Sequence, residues 1–223
     1  DDVQKNLVAA WTLYNEAAEQ GVVEAQDRLG CWYLYGNNVT ADLEKAQTLL
    51  KMAADGGFAP AQYHLGLLYE KTARSAEELN KAIKMYTLAA NKKEIEAQLA
   101  LARLYESGTA VKKDLNKAFA LYEHAAEQGN ADAQYIVGQY FEKGIVVEQS
   151  TSYAIRLWRI ASTGGSADAQ YALGVASSNG TGVEKNEWDA CKFFELAAEQ
   201  GYKDALDLWR DCKQRIPEKK AKR

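Results

Sequence analysis

The residues Ala-Glu-Gln-Gly occur at 18–21, 126–129 and 198–201, and the separations of 108 and 72 residues are both multiples of 36. A fixed internal period of this length constrains a chain more than any composition does, because it implies one supersecondary unit stacked on copies of itself. Ala25-Gln26 sets a register that continues as Ala61-Gln62, Ala97-Gln98, Ala133-Gln134 and Ala169-Gln170, and ends at Ala205-Leu206. Five full units therefore cover 25–60, 61–96, 97–132, 133–168 and 169–204 without an insertion. Position 6 reads Gly30, Gly66, Ala102, Gly138, Gly174, and a double alanine recurs at 17–18, 53–54, 89–90, 125–126 and 197–198, with Ala161-Ser162 in between.

Each unit reads as two helices. In "AQYHLGLLYEK" the apolar positions Ala61, Leu65, Leu68 and Tyr69 form one stripe at helical spacing. Pro60 falls at the start of that helix, where a missing N–H costs nothing, and Glu24, Glu96, Asp132, Asp168 and Asp204 put negative charge at the same end in other units. The second helix, as in "DLNKAFALYEHAAEQG", follows a polar leading residue and ends at Gly21, Gly57, Gly129, Gly165 or Gly201. Lys93 takes the glycine's place once and predicts a less regular end there. Between the helices lie Gly-containing turns with Val39, Val111, Val147 or Val183; "YEKTARSAEE" lacks both Gly and Val and predicts the irregular loop. Small residues at position 6 and large ones at position 26 (Tyr86, Tyr122, Trp158, Phe194) predict close helix packing, large against small. One helix pair cannot bury its apolar face alone, so the units stack. The fold class is all-α, an α-solenoid of antiparallel helix pairs.

The pattern A-Q-x-x-L-G-x-x-Y-x-x-G…V-x-x-D-x-x-K-A-x-x-x-Y-x-x-A-A-E-x-G resembles the Sel-1-like repeats, relatives of the tetratricopeptide arrays, most closely over 97–132 and across 7–204 as a whole. The resemblance implies a right-handed superhelix whose first helices line a concave groove, and adaptor roles in protein complexes; many bacterial members are exported. A cysteine-rich branch binds or hydrolyses β-lactams and carries a disulfide in each repeat; this chain has three cysteines, at 31, 191 and 212, and no CxxC, so that activity is not carried over. Cys191 and Cys212 fall on the adjacent final helices, and the favoured reading treats them as two separate thiols used as small hydrophobes. The ends depart from the pattern. Residues 1–24 form a half repeat, a second helix without its first, as a cap or a truncation; 205–223 form a capping helix and basic tail, with Arg210 in place of the packing glycine.

Composition matters here for what it excludes. No apolar run approaches the roughly 18 residues needed to span a bilayer. "DDVQKNLVAAW" has no basic region followed by an apolar core, so a signal peptide, if there was one, is gone, or the chain is a fragment; export is slightly favoured over a cytoplasmic location. The formal net charge is −4, but 205–223 carries seven Lys/Arg against three acidic residues, which leaves −8 on the rest. An acidic body argues against nucleic acid as a partner, and the basic end reads as a solvated tail. His64 and His124 lie in different units with no second His or Cys at metal-ligand spacing along the chain, and no phosphate loop or Ser-x-x-Lys is present. No catalytic, metal or cofactor site is expected. Trp32 and Trp158 occupy core positions and Trp209 replaces a core Leu, whereas Trp11 and Trp188 fall at variable positions open to solvent.

Function must then lie where the repeat varies, at positions 3, 4, 7 and 11 of the first helices. These rows supply Arg28, Tyr35, Tyr63, His64, Lys71, Arg103, Tyr135, Gln139, Lys143 and Tyr171 as candidate partner-binding residues, since aromatic and Arg side chains dominate binding hot spots. The expectation is a non-enzymatic interaction module, an adaptor, scaffold or inhibitor, holding a protein or peptide in its groove as a monomer or weak self-associate. The alternatives are a small-molecule-binding or β-lactam-hydrolysing repeat protein, and a structural spacer within a larger chain.

Overall fold

Side-chain caps mark where the second helices begin. Asp42, Ser75, Asp114, Ser150 and Asn186 each accept a backbone N–H from the first turn of the helix that follows, which satisfies a donor that has no partner within the helix. In the computed structural model, which describes residues 2–215, the helices are α1 (Asp2–Glu19), α2 (Val23–Tyr35), α3 (Leu43–Asp55), α4 (Ala59–Thr72), α5 (Ala76–Ala90), α6 (Ile95–Ser107), α7 (Leu115–Glu127), α8 (Ala131–Lys143), α9 (Thr151–Thr163), α10 (Ala167–Asn179), α11 (Glu187–Glu199) and α12 (Lys203–Arg215). Among the described residues there is no strand. The chain divides between Lys113 and Asp114 into two compact units, the first built from α1–α6 and the second from α7–α12. The last four cations of the basic tail (Lys219, Lys220, Lys222, Arg223) lie outside the described residues.

The double alanine proves to be a hydrogen-bonding device as well as a small-residue one. The carbonyl of Ala53 accepts from Phe58 N and that of Ala54 from Gly57 N, which closes the end of α3. The same Ala54 carbonyl also accepts from Gln62 Nε2 at 3.2 Å. Gln26 reaches Ala18, Gln134 reaches Ala126 and Gln170 reaches Ser162 in the same way, at 3.0, 3.2 and 3.4 Å. The recurrent glutamine thus ties the first turn of one helix pair to the last turn of the preceding helix. Gln26, Gln62 and Gln170 are buried, and the amide of each satisfies a carbonyl left over at a helix end.

Lys93 departs from expectation. Its φ of 66° is left-handed, like that of the glycines, and Lys93 N and Glu94 N bond to Ala90 O and Ala89 O as Gly57 and Phe58 do in the preceding pair. The end of α5 is therefore as regular as the others, because the hydrogen-bond pair requires this backbone whatever the side chain; the lysine bears the steric cost. Lys93→Gly should raise stability by about 1 kcal/mol, the strain relieved less the freedom that glycine adds to the unfolded chain. An unshifted urea midpoint would show that the strain is absorbed elsewhere. The loop between α4 and α5 is irregular as expected: it lacks the left-handed glycine, and Ala73 leaves α4 in extended backbone only three residues before α5 begins.

Large side chains fill the space left by small ones. In the first unit a Cβ built on Gly66 would stand 2.5 Å from the Tyr86 ring, and one on Gly30 would stand 2.7 Å from Leu50. In the second unit the pairs are Gly138 with Trp158 and Gly174 with Phe194, at 2.4 and 2.5 Å. Hydrophobic clusters run along these contacts, with Leu34, Leu50 and Leu65 in the first unit and Ile155, Trp158 and Leu173 in the second. Trp188 is exposed, whereas Trp11 is half-buried against Ala18, Ala25 and Leu29. Arg210, in the glycine's place on α12, points to solvent beside Asp207, 3.5 Å away.

The cysteine reading requires correction. Cys191 on α11 and Cys212 on α12 are joined by a disulfide, with Cα atoms 5.6 Å apart. Cysteine count argues against a disulfide framework but says nothing about a single bridge, and the antiparallel packing of α11 on α12 sets these two positions face to face. Cys31 is a free thiol.

Candidate functional site

In the second unit three of the candidate side chains meet around one open cavity. Position 3 of the repeat places Tyr135 on α8 and Tyr171 on α10, and position 7 places Gln139 one turn beyond Tyr135. With Trp158, Ala172, Val175 and Ala176 they line a cavity of about 290 Å³, whose rim carries Glu142, Thr151, Asn179 and Thr181. Gln139 Nε2 donates to the Tyr135 hydroxyl at 2.7 Å, which leaves the phenolic proton free to donate outward. Trp158 Nε1 donates to the Tyr135 carbonyl at 3.2 Å and fixes the floor. Tyr171 stacks on Tyr202 with ring centres 4.8 Å apart. Burial first, then the Asp168 carboxylate, push the Tyr135 hydroxyl up to about 12, so it stays neutral at physiological pH and offers hydrogen bonds rather than charge. Lys143 is exposed at the end of α8 and does not line this cavity.

The first unit arranges its candidates differently. Tyr35 and Lys71 line a shallow depression of about 240 Å³ with Leu34, Leu67 and Glu70, and Glu70 accepts a 2.5 Å hydrogen bond from the Tyr86 hydroxyl. Arg28 and Arg103 are exposed. Tyr63 is half-buried, its ring 5.3 Å from that of His64; burial and Glu96 push its hydroxyl up to about 12, against the pull of Arg103. His64 is not a free groove side chain. Its Nδ1 lies 2.7 Å from Asp27 Oδ1, and Asp27 is only 9% exposed.

Cys31 completes this group: one donor atom from each of Asp27, Cys31 and His64 lies within 4.8 Å of the other two. Along the sequence His64 has no partner at metal-ligand spacing; in three dimensions it has two. The signal was present in the repeat register. Positions 3 and 7 of one unit share a helix face, and stacking brings them against position 4 of the next, a relation that appears only when the rows are read across units. The cavity residues Trp158, Thr151 and Thr181 lie on a second helix and in a turn, outside the variable rows of the first helices. His124, by contrast, is exposed on α7 beside Glu127.

A family model for the Sel1 repeat matches residues 1–22, 23–58, 59–93, 95–130, 131–166 and 167–202. The structure is similar to that of a Sel1 repeat protein from Oxalobacter formigenes, at 28% sequence identity and a TM-score of 0.79, over 92% of this chain and 86% of that one. It is similar to c5321, a protective antigen present in uropathogenic Escherichia coli strains, at 25% identity and a TM-score of 0.57; the match covers 93% of this chain but 52% of that one. The immunity protein Pa5087 from Pseudomonas aeruginosa shares the fold at 22% identity and a TM-score of 0.53, over 91% of this chain and 73% of that one. No curated protein matches the chain.

Proposed function

The chain belongs to the Sel1 repeat family, whose repeats typically bind proteins, and on that premise we propose that it is a non-enzymatic interaction module that grips a protein or peptide through the first helices of its repeats. One observation carries this reading: the cavity of the second unit, with an apolar floor of Trp158, Tyr171, Ala172 and Val175 and a rim of Gln139, Glu142 and Asn179. Its volume of about 290 Å³ suits one or two bulky side chains of a partner. An apolar anchor pocket surrounded by polar groups is the arrangement in which interface energy concentrates. Tyr135, Gln139 and Tyr171 act as the anchor, and Lys143 offers charge nearby on α8. In the first unit Tyr35, Tyr63 and Lys71, with the exposed Arg28 and Arg103, form a second polar-aromatic surface.

Truncating the tyrosines would also remove core contacts, so the better test fills the cavity. Ala172 lines it and is half-buried; Ala172→Trp occupies the space without deleting any existing contact. Affinity capture with the wild-type chain, read by mass spectrometry, identifies bound proteins, and the purified partner is then titrated against Ala172→Trp and Lys143→Glu. Filling an anchor pocket should cost about 2 kcal/mol, roughly thirtyfold in affinity. Full binding by a folded Ala172→Trp chain would move the site off this cavity.

A further inference from the structure

The group formed by Asp27, Cys31 and His64 is not part of the proposed binding cavity, and Cys31 is half-buried against the Leu34, Leu50 and Leu65 cluster of the first unit. Asp27 and Cys31 stand four residues apart on α2 and so share one face of that helix, while His64 comes from α4 in the next repeat. Their donor atoms already lie within 4.8 Å of one another. Bond lengths of about 2.0–2.3 Å to a tetrahedral cation place its ligand atoms roughly 3–4 Å apart, so small side-chain adjustments suffice to close the set around an ion. Asp27 is nine-tenths buried, an unusual place for a carboxylate whose visible partner is a histidine. Glu94, which precedes α6, adds a further acidic group within electrostatic reach of both His64 and Asp27.

We propose that Asp27, Cys31 and His64 bind a zinc-class divalent cation that braces two consecutive repeats of the first unit. A thiolate, an imidazole and a carboxylate are the mixed soft and borderline donors that favour zinc and its first-row neighbours over magnesium or calcium, which take oxygen alone. On binding, the Cys31 thiol gives up its proton to solvent, the sulfur–metal bond replaces the sulfur–hydrogen bond, and the proton between His64 Nδ1 and Asp27 passes by way of solvent to Nε2, which leaves Nδ1 and the carboxylate to take the cation. The metal's oxidation state does not change and no other reactant is required. Burial, followed by the Asp27 charge, pushes the unliganded thiol up to about 12, so the metal-free group rests as a neutral thiol until a cation offsets the carboxylate.

The chain is well suited to a spectroscopic test. Of its three cysteines, Cys191 and Cys212 are tied in the disulfide, so any thiolate-to-metal charge transfer must arise from Cys31. Cobalt(II) titrated into the purified, non-reduced chain should produce a near-ultraviolet thiolate–cobalt band that saturates at one equivalent and is discharged by zinc. Cys31→Ser should abolish the band. His64→Gln should weaken cobalt binding by at least the roughly 10–100-fold that loss of a mere supporting partner costs a metal site. His124→Gln, at the other histidine, should leave binding unchanged. Circular dichroism confirms that each variant is helical, and if Cys31→Ser fails to fold, His64→Gln alone decides. Absence of the band at saturating cobalt overturns the proposal, as does a band that persists at full strength in His64→Gln, because a thiol acting alone would then be the ligand.

Discussion

Trp158→Ala should destabilise the second unit by about 3–5 kcal/mol, the range for removing a large aromatic side chain from a core that cannot collapse around the gap. Trp158 is 3% exposed, and its indole fills the space opposite Gly138 while Nε1 donates to the Tyr135 carbonyl. Gly138→Ala should also destabilise, by about 1–3 kcal/mol, because its Cβ would stand 2.4 Å from Nε1, so the indole must shift and give up its hydrogen bond to the Tyr135 carbonyl. The two costs have a common origin, so they should not add. In the Trp158→Ala background the new methyl group meets a cavity rather than a ring, and the double variant should be destabilised by at least about 1 kcal/mol less than the sum of the single effects, within the range seen for residues in contact. Urea denaturation followed by far-ultraviolet circular dichroism gives all four corners of the cycle. Strict additivity would mean that glycine and indole do not determine each other's size, and the reading of position 6 against position 26 would fail. Because Trp158 is also part of the cavity floor, Trp158→Ala should lose partner binding together with stability.

Much of this fold can be read directly from the sequence because the repeat states each local rule several times. Caps, terminal glycines and small positions recur every 36 residues, so one ambiguous residue is corrected by its equivalents. Lys93 shows the limit of that reading: residue type predicted a looser helix end, but a backbone hydrogen-bond pair fixed by the neighbouring alanines overrides the side chain. The role of the recurrent glutamine was equally hidden, since its partner is a backbone carbonyl eight residues earlier, which no side-chain pattern reveals. The candidate site was legible only in part. Variable positions give Tyr135, Gln139 and Tyr171, which the structure brings together beside Ala172, Val175 and Asn179 of α10, but Trp158 and Thr151 of α9 and Thr181 of a turn, outside those rows, complete the cavity. His64 belongs to a variable row of the first helices, but Asp27 and Cys31 of the preceding repeat, which sit in two other rows, claim it, and no single row displays that relation.

Reduction of the Cys191–Cys212 disulfide should release α12 from the second unit without melting the helices before it. The bridge closes a loop with a sequence separation of 21, for which chain entropy predicts about 3 kcal/mol of stabilisation. Little else holds α12 as firmly. Of its side chains only Ala205 and Cys212 are fully buried, and Leu208 and Trp209 are half-buried against the α11 cluster, while the remainder is largely polar. A helix with so small an apolar face opens locally at a lower free energy than the core, and removing the bridge lowers that cost further. Hydrogen exchange read by mass spectrometry should therefore show α12 amides exchanging about a hundredfold faster after reduction, the factor that 3 kcal/mol represents, with α8–α10 nearly unchanged. Cys191→Ala combined with Cys212→Ala should reproduce the effect in the absence of reductant. If exchange in α12 is the same with and without the bridge, Leu208, Trp209 and Ala205 hold the helix by packing alone. If protection falls across α8–α11 as well, α12 acts as the lid on the hydrophobic end of the array, and its loss exposes Phe194 and Ala197 to water.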